Sequence, residues 1–161
     1  MTIRKTTRAD LPQVMAIYAA AREFMRETGN ASQWGANHPA RSLIEADIAA
    51  GKSYVCTGAG QMLAVFYFSV ERDPTYAVIR DGEWLNDAPY GVVHRIASAG
   101  TVRGVGAYCI DWCFEACGNV RIDTHEANLP MQKVLARLGF SRCGTVTLED
   151  GDLRIAYQKC R

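Results

Sequence analysis

Apolar and polar residues alternate through "TIRKTT" (2–7), and with its β-branched side chains this predicts a short strand. The rhythm then changes. Leu11, Val14, Ile17, Tyr18, Ala21 and Met25 recur at the spacing of one helical face. Asp10 is placed to cap that helix, Pro12 is tolerated in its first turn, and Gly29 with Asn30 stops it. A second helix is expected from Pro39 to Ala50, ending at Gly51, and "SYVCTGAGQMLAVFYFSV" (53–70) reads as two strands about a glycine turn. "VVHRIA" (92–97) is a strand. Val105, Tyr108, Cys109, Trp112, Cys113 and Ala116 form the next helical face, widened by Ile110, Phe114 and Cys117; only Asp111 and Glu115 are charged, so this helix should be largely buried. "VRIDTH" (120–125) is a further strand. Asn128 caps a helix striped by Met131, Val134, Leu135 and Leu138, with Gly139 and Phe140 closing it. "CGTVTLEDGDLRIAYQK" (143–159) is a hairpin around Asp150-Gly151. The order β-α-α-β-β-β-α-β-α-β-β predicts one α/β (α+β) domain over 1–161, a mixed sheet covered by about four helices.

Residues 71–91 break the pattern. They are rich in Pro, Gly and Asp and carry Tyr76, Trp84 and Tyr90. A connection this long is either a functional lid or binding loop, or a short helix packing its aromatics as core. Composition narrows the partners: 161 residues, 48% hydrophobic, 22% charged and a net charge of +1 describe an ordinary domain without a strong field, which argues against nucleic acid. No apolar run is long enough to span a membrane, and "MTIRKTTRADL" lacks a secretory leader, so a cytoplasmic protein is expected. Of six cysteines, Cys109, Cys113 and Cys117 follow one side of one helix, and no C-x-x-C pair supplies a metal site; they read as small core residues, with no metal expected.

Chemistry concentrates in "GTVRGVGAYCIDWCFEAC" (100–117), where glycines precede a helix directly after a strand. The first amides of a helix have no internal partner, the helix dipole adds positive potential there, and glycine lets an anion approach the backbone. The amides of Val102, Arg103, Gly104, Val105, Gly106 and Ala107 can therefore cradle a phosphate or pyrophosphate. A P-loop is excluded, since no G-x-x-x-x-G-K-[ST] occurs. A dinucleotide site would need a glycine at Cys109, although Asp123 stands near the distance of a ribose contact. Alternatively, Gly104 and Gly106 only permit tight helix–strand packing.

"TVRGVG" (101–106) resembles the Q/R-x-x-G-x-G/A signature of the GNAT superfamily of acyl-CoA-dependent N-acetyltransferases, with Thr101 where Gln or Arg is usual. "NLPMQKVLARLGF" (128–140) resembles the family's second signature and keeps Asn128, Leu138, Gly139 and Phe140. The resemblance covers most of the chain. It implies a mostly antiparallel sheet whose fourth and fifth strands splay, with acetyl-CoA as cosubstrate between them. His94, Arg95 and Ile96 would hold the pantetheine arm and thioester by their backbone, one amide stabilising the oxyanion; residues 102–107 would hold the pyrophosphate and Asn128 the arm, besides its plain capping role. An amine of a small molecule or protein would attack the thioester directly. It must be neutral to do so, and Asp123, His94 or His125 are the candidate bases, each with an ordinary polar or ion-paired role as the alternative. The family's usual thiolate-protonating Tyr falls at Leu135; Tyr108 or water would have to substitute. That departure keeps open an inactive acyl-CoA sensor. The acceptor pocket is expected from the 29–38 link and the 71–91 loop, with Trp34, Tyr76, Trp84 and Tyr90 as aromatic walls and Glu71, Arg72 and Asp73 adding polar selection. A homodimer is implied only by analogy.

Overall fold

The computed structural model describes all residues, 1–161. Its strands are β1 (Thr2–Lys5), β2 (Ser53–Gly58), β3 (Gln61–Val70), β4 (Gly91–Ser98), β5 (Asn119–Thr124), β6 (Ser141–Thr147) and β7 (Leu153–Cys160). Its helices are α1 (Leu11–Glu27), α2 (Ala31–Trp34), α3 (Arg41–Ala49), α4 (Val105–Cys117) and α5 (Leu129–Arg137). The sheet runs β1-β2-β3-β4-β5-β7-β6, and β4–β5 is its one parallel pair. The expected mixed sheet is present. The single turn α2, unforeseen, brings the helices to five.

Two core clusters fix the layers. Cys109, Ile110, Cys113 and Phe114 of α4 pack with Leu135 of α5 and Ile122, Ile155 and Tyr157 of the sheet. Leu11, Val14, Ile17 and Tyr18 of α1 pack on Val55, Val65 and Ala97. The alternation of β3 and β4 feeds side chains to both sets, because successive residues of a strand face opposite ways. Cys56, Cys109, Cys113 and Cys143 are buried and all six cysteines are free, as a packing role requires. No helix is long and apolar enough to cross a membrane.

Asp10 behaves differently from expectation. The chain enters α1 through a 3-10 turn (Arg8–Asp10), so Asp10 already has helical dihedrals and makes no cap to α1. Its Oδ2 instead accepts from the Thr7 amide (2.8 Å) and hydroxyl (3.0 Å), and both oxygens are gripped by Arg4 (2.7 and 2.9 Å). The Arg4 bond above all holds this carboxyl well below the usual range. A depressed carboxyl contributes stability above its unfolded pKa of about 3.9, and that contribution is lost as pH falls through the folded value. Asp10→Asn should therefore lower the melting temperature at pH 6 by roughly 2–4 °C, as loss of a helix-start bond does. The gap to wild type should close as thermal scans are taken down toward pH ~2; a gap independent of pH would show that the carboxylate charge is not what stabilises this turn.

The 71–91 connection is a packed segment with one 3-10 turn (Pro74–Tyr76). Tyr76 and Tyr90 are buried with Tyr67, Val92, Val146 and Ala156. The Arg121 guanidinium lies between the Trp84 ring (4.2 Å) and the Tyr90 ring (4.0 Å), and Asn86 is tied to Asn119, Arg121 and Gln158. Gly82 permits the closest approach, since a Cβ there would sit 1.9 Å from the Cys143 carbonyl oxygen. The aromatics are core, as the second of the two readings had it, yet without the short helix.

Candidate active site

The site begins where β4 and β5 part. They pair only at Gly91–Val120 and Val92–Arg121. Beyond that, β4 stays with β3 and β5 with β7, so the facing edges of Val93–Ser98 and Ile122–Thr124 have no strand partner in each other. His94 and Asp123 each lie two residues past the last pair, level across the gap.

A bulge shapes the β4 side. Val65 pairs with Ala97 and Tyr67 with His94, leaving Arg95 and Ile96 opposite Phe66 alone. Arg95 takes a φ of +50°, unusual for a side-chain-bearing residue, which costs on the order of 1–3 kcal/mol unless its surroundings hold it. They do. Arg95 is bound bidentately by Asp47 of α3 (both 3.0 Å), lies 4.7 Å over the Tyr67 ring, and its carbonyl accepts from the Tyr18 hydroxyl (2.8 Å).

A cavity of about 770 Å³ opens from the gap, lined on the β4 side by Val93, His94, Arg95 and Ile96 and on the β5 side by Ile122, Asp123 and Thr124. His94 Nε2 lies 2.6 Å from Asp73 Oδ2, and the imidazole sits between the Tyr67 and Tyr76 rings (centroids 5.6 and 5.9 Å). Burial works to raise the Asp73 carboxyl, but the His94 bond and the Thr75 amide prevail and hold it below the usual range. An ionised Asp73 can only accept, so Nε2 carries the proton of this bond, and Nδ1 has no partner in the protein. Asp123 Oδ2 accepts from the Tyr76 hydroxyl at 2.7 Å. Burial, then the neighbouring Asp123, pushes Tyr76 well above its ordinary value, so it remains a donor.

The second candidate element is the start of α4, which follows β4 in the chain; residues 102–107 do not line this cavity. Gly104 is its N-cap at φ +79°, and no side chain caps the helix. The first helical bond runs from the Tyr108 amide to Gly104 (3.0 Å), and the amides of Val102 through Ala107 find no acceptor in the protein. A Cβ on Gly104 or Gly106 would meet no atom within 4 Å. Tight packing is therefore not what these glycines permit. They keep open a shelf of free donors at the positive end of a 13-residue helix, which suits a diphosphate. The unpaired inner edges of β4 and β5 suit the amides of an extended ligand arm, and the Thr124 hydroxyl, buried in the gap wall, also has no partner. The dinucleotide reading loses its basis: Cys109 is wholly buried in the core, and Asp123 is engaged by Tyr76.

Of the expected site residues, His94, Arg95, Ile96, Asp123, Asn128 and Trp34 line one cavity. Asn128 caps α5 through the Met131 amide (3.2 Å) and gives its Nδ2 to Gln33 (2.9 Å). Several expectations are corrected. Tyr76, Trp84 and Tyr90 do not line the cavity, because core packing, hydrogen bonds and the Arg121 sandwich absorb them. His125 lies past the end of β5 rather than on its face; its Nδ1 accepts from the Ala127 amide (3.0 Å) and its Nε2 meets Ser32 (3.3 Å), which lines the cavity where His125 itself does not. Tyr108 is exposed and its hydroxyl donates to the Met1 carbonyl (3.0 Å), away from the gap. Leu135 is fully buried. Sequence reasoning missed Tyr67 and Asp47, and took Asp73 for a selectivity residue. Tyr67 stands in an apolar run, its hydroxyl bonded to Glu71 and pushed up to about 12 by burial and that neighbour; no spacing in the chain joins 47, 73 and 94.

Neither a protein-family model nor a curated protein matches the sequence. Solved structures do. An acetyltransferase of the GNAT family from Streptococcus agalactiae is 31% identical over 99% of this chain and 95% of its own, with a TM-score of 0.91. A ribosomal-protein-alanine N-acetyltransferase from Brucella melitensis is 20% identical over the full length of both chains, TM-score 0.67. A GNAT superfamily phosphinothricin acetyltransferase from Sinorhizobium meliloti, solved in complex with AcCoA, is 14% identical over 99% of this chain and 87% of its own, TM-score 0.67. The last two share the fold alone.

Proposed function

This chain belongs to the GNAT family of acetyltransferases, and on that footing we propose that it transfers an acetyl group from acetyl-CoA to a primary amine by direct attack. One observation carries the reading: two strands part after two residue pairs, and the first of them leads through a short glycine-rich turn into a helix whose first amides are free. The residues fit the cosubstrate. Residues 102–107 would hold the diphosphate, and the inner edges of β4 and β5 the pantetheine arm. An amide of the Arg95–Ile96 bulge would take up charge on the thioester oxygen, a contribution of several kcal/mol where water is excluded.

An amine with a pKa near 10 arrives mostly protonated at pH 7 and must lose a proton to attack. His94 would receive it at Nδ1, directly or through one water, while Asp73 fixes the tautomer and stabilises the imidazolium that results. Asp123, held by Tyr76, would orient the amine. The nitrogen bonds to the carbonyl carbon, sheds its second proton to solvent, and the carbon–sulfur bond breaks. With Leu135 and Tyr108 both unsuited as acids, the thiolate leaves as such and takes its proton from solvent; a thiol pKa near 8.5 makes it a tolerable leaving group.

Turnover is tested by free-thiol release from acetyl-CoA across a panel of primary amines at pH 7–8. Release above the protein-free rate for at least one amine is expected. Tight CoA binding with no release for any acceptor would replace the enzyme with a sensor, the reading that buried Leu135 favours.

A further inference from the structure

Charge in the cavity is lopsided, and pairing makes it more so. Its two arginines are both spent. Arg95 is held by both oxygens of Asp47, and Arg154, 5% exposed, donates to the Gln33 carbonyl (3.2 Å), the Leu153 carbonyl (3.0 Å) and Asp152 (3.4 Å). Burial, then Arg95, Arg154 and Arg22, pushes the His38 imidazole down, so it adds no positive charge near neutral pH. No cation is left to receive a carboxylate or phosphate on an acceptor. Among the carboxylates, Asp47, Glu71 and Asp73 have cationic or imidazole partners. Asp123 faces only a neutral tyrosine, with Oδ1 free. Glu149 and Asp150 meet no cation at all, although both line the same cavity.

The sheet separates these free charges into two groups. Asp123 pairs with Ala156, four residues along β7 from Asp152, so the β6–β7 turn rises about 13 Å beyond the Asp123 level at ~3.3 Å per residue. Between them lies Thr124, 1% exposed, whose hydroxyl has no partner and which lines the cavity wall.

Resting on the proposed amine acetylation, we infer that the acceptor carries a second positive charge several methylenes from the reacting nitrogen, the class of linear diamines and polyamines. Asp123 and His94 receive the reacting end, and Glu149 with Asp150 receives the distal ammonium. An acceptor with a distal carboxylate meets repulsion and no counter-charge.

Calorimetry on the CoA-bound protein with three chain-matched probes tests this: 1,6-diaminohexane, hexylamine and 6-aminohexanoate. Glu149 and Asp150 are exposed, so the diamine should bind about threefold to tenfold tighter than hexylamine, as contact with two solvated carboxylates provides, and 6-aminohexanoate should bind weakest. The doubly neutralised variant Glu149→Gln/Asp150→Asn should lose most of the diamine's advantage and leave hexylamine binding unchanged; Asn at 150 can still accept from the Asp152 amide, keeping the turn. Equal binding of the three probes, a preference for either monoamine, or a diamine advantage that survives the double variant would overturn the inference. Thiol release with hexylamine reads the parent proposal separately. Release without diamine preference leaves the acetyltransferase standing and removes the inference, whereas failure of CoA itself to bind removes both.

Discussion

Gly104→Glu is expected to lower CoA affinity by roughly three orders of magnitude while the protein stays folded. At φ +79° a non-glycine residue costs about 1–2 kcal/mol, which an exposed turn tolerates. The side chain enters space that holds no protein atom. Its carboxylate would settle on the free amides at the start of α4 and stand against the diphosphate. Like charges ~4 Å apart at an effective dielectric of ~20 repel by about 4 kcal/mol. Gly104→Asn separates charge from bulk, since Asn accepts the left-handed region and carries none; it should weaken CoA binding far less. Calorimetric titration with CoA, with circular dichroism as the fold control, measures both. An unchanged dissociation constant for the Glu variant would mean that the diphosphate lies elsewhere.

The second large effect belongs to the His94–Asp73 pair. His94→Ala should reduce kcat by about 10²–10⁴-fold with CoA affinity intact, the usual weight of a general base. On the proposed mechanism Asp73 is a positioning residue, because its carboxylate touches the imidazole and sets which nitrogen carries the proton of their bond. Asp73→Asn should cost on the order of 10²-fold in kcat with KM for both substrates little changed. Asp73 also caps the 3-10 turn through the Thr75 amide (2.9 Å), so Asp73→Ser is the informative companion: serine can keep that cap but cannot orient the histidine. Comparable kcat losses in the Asn and Ser variants, at wild-type melting temperature, would support positioning. A loss that tracks melting temperature, or rises in KM alone, would make Asp73 merely structural.

Much of this was legible in the chain. The helical stripe of Val105, Cys109 and Cys113, the strand 92–97 and the cap at Asn128 follow from periodicities of 3.6 and 2 and from cap chemistry, which act over a few neighbouring residues. The glycine-rich turn was legible as a candidate anion site for the same local reason. His94 and Asp123 were legible as candidates because polar residues interrupt apolar strands. Misreadings came where a side chain's partner is distant. Tyr76, Trp84 and Tyr90 read as pocket walls until Arg121 and Asp123, 31 to 47 residues away, took them up. His125 read as a strand residue until β5 ended one position earlier.

The amino-acid sequence alone determined the long helices and most strands, where the free helix amides stand, and that a mixed sheet results. Those outcomes depend on contacts within one turn or one strand repeat. Only the tertiary structure decided that β4 and β5 separate after Val92, that the Arg95 bulge is held open by Asp47 and Tyr18, and that Asp73 rather than another carboxylate governs His94. Each of these joins residues 21 to 77 positions apart, where the free energy of pairing is set by the packing of whole elements and leaves no spacing in the chain to read.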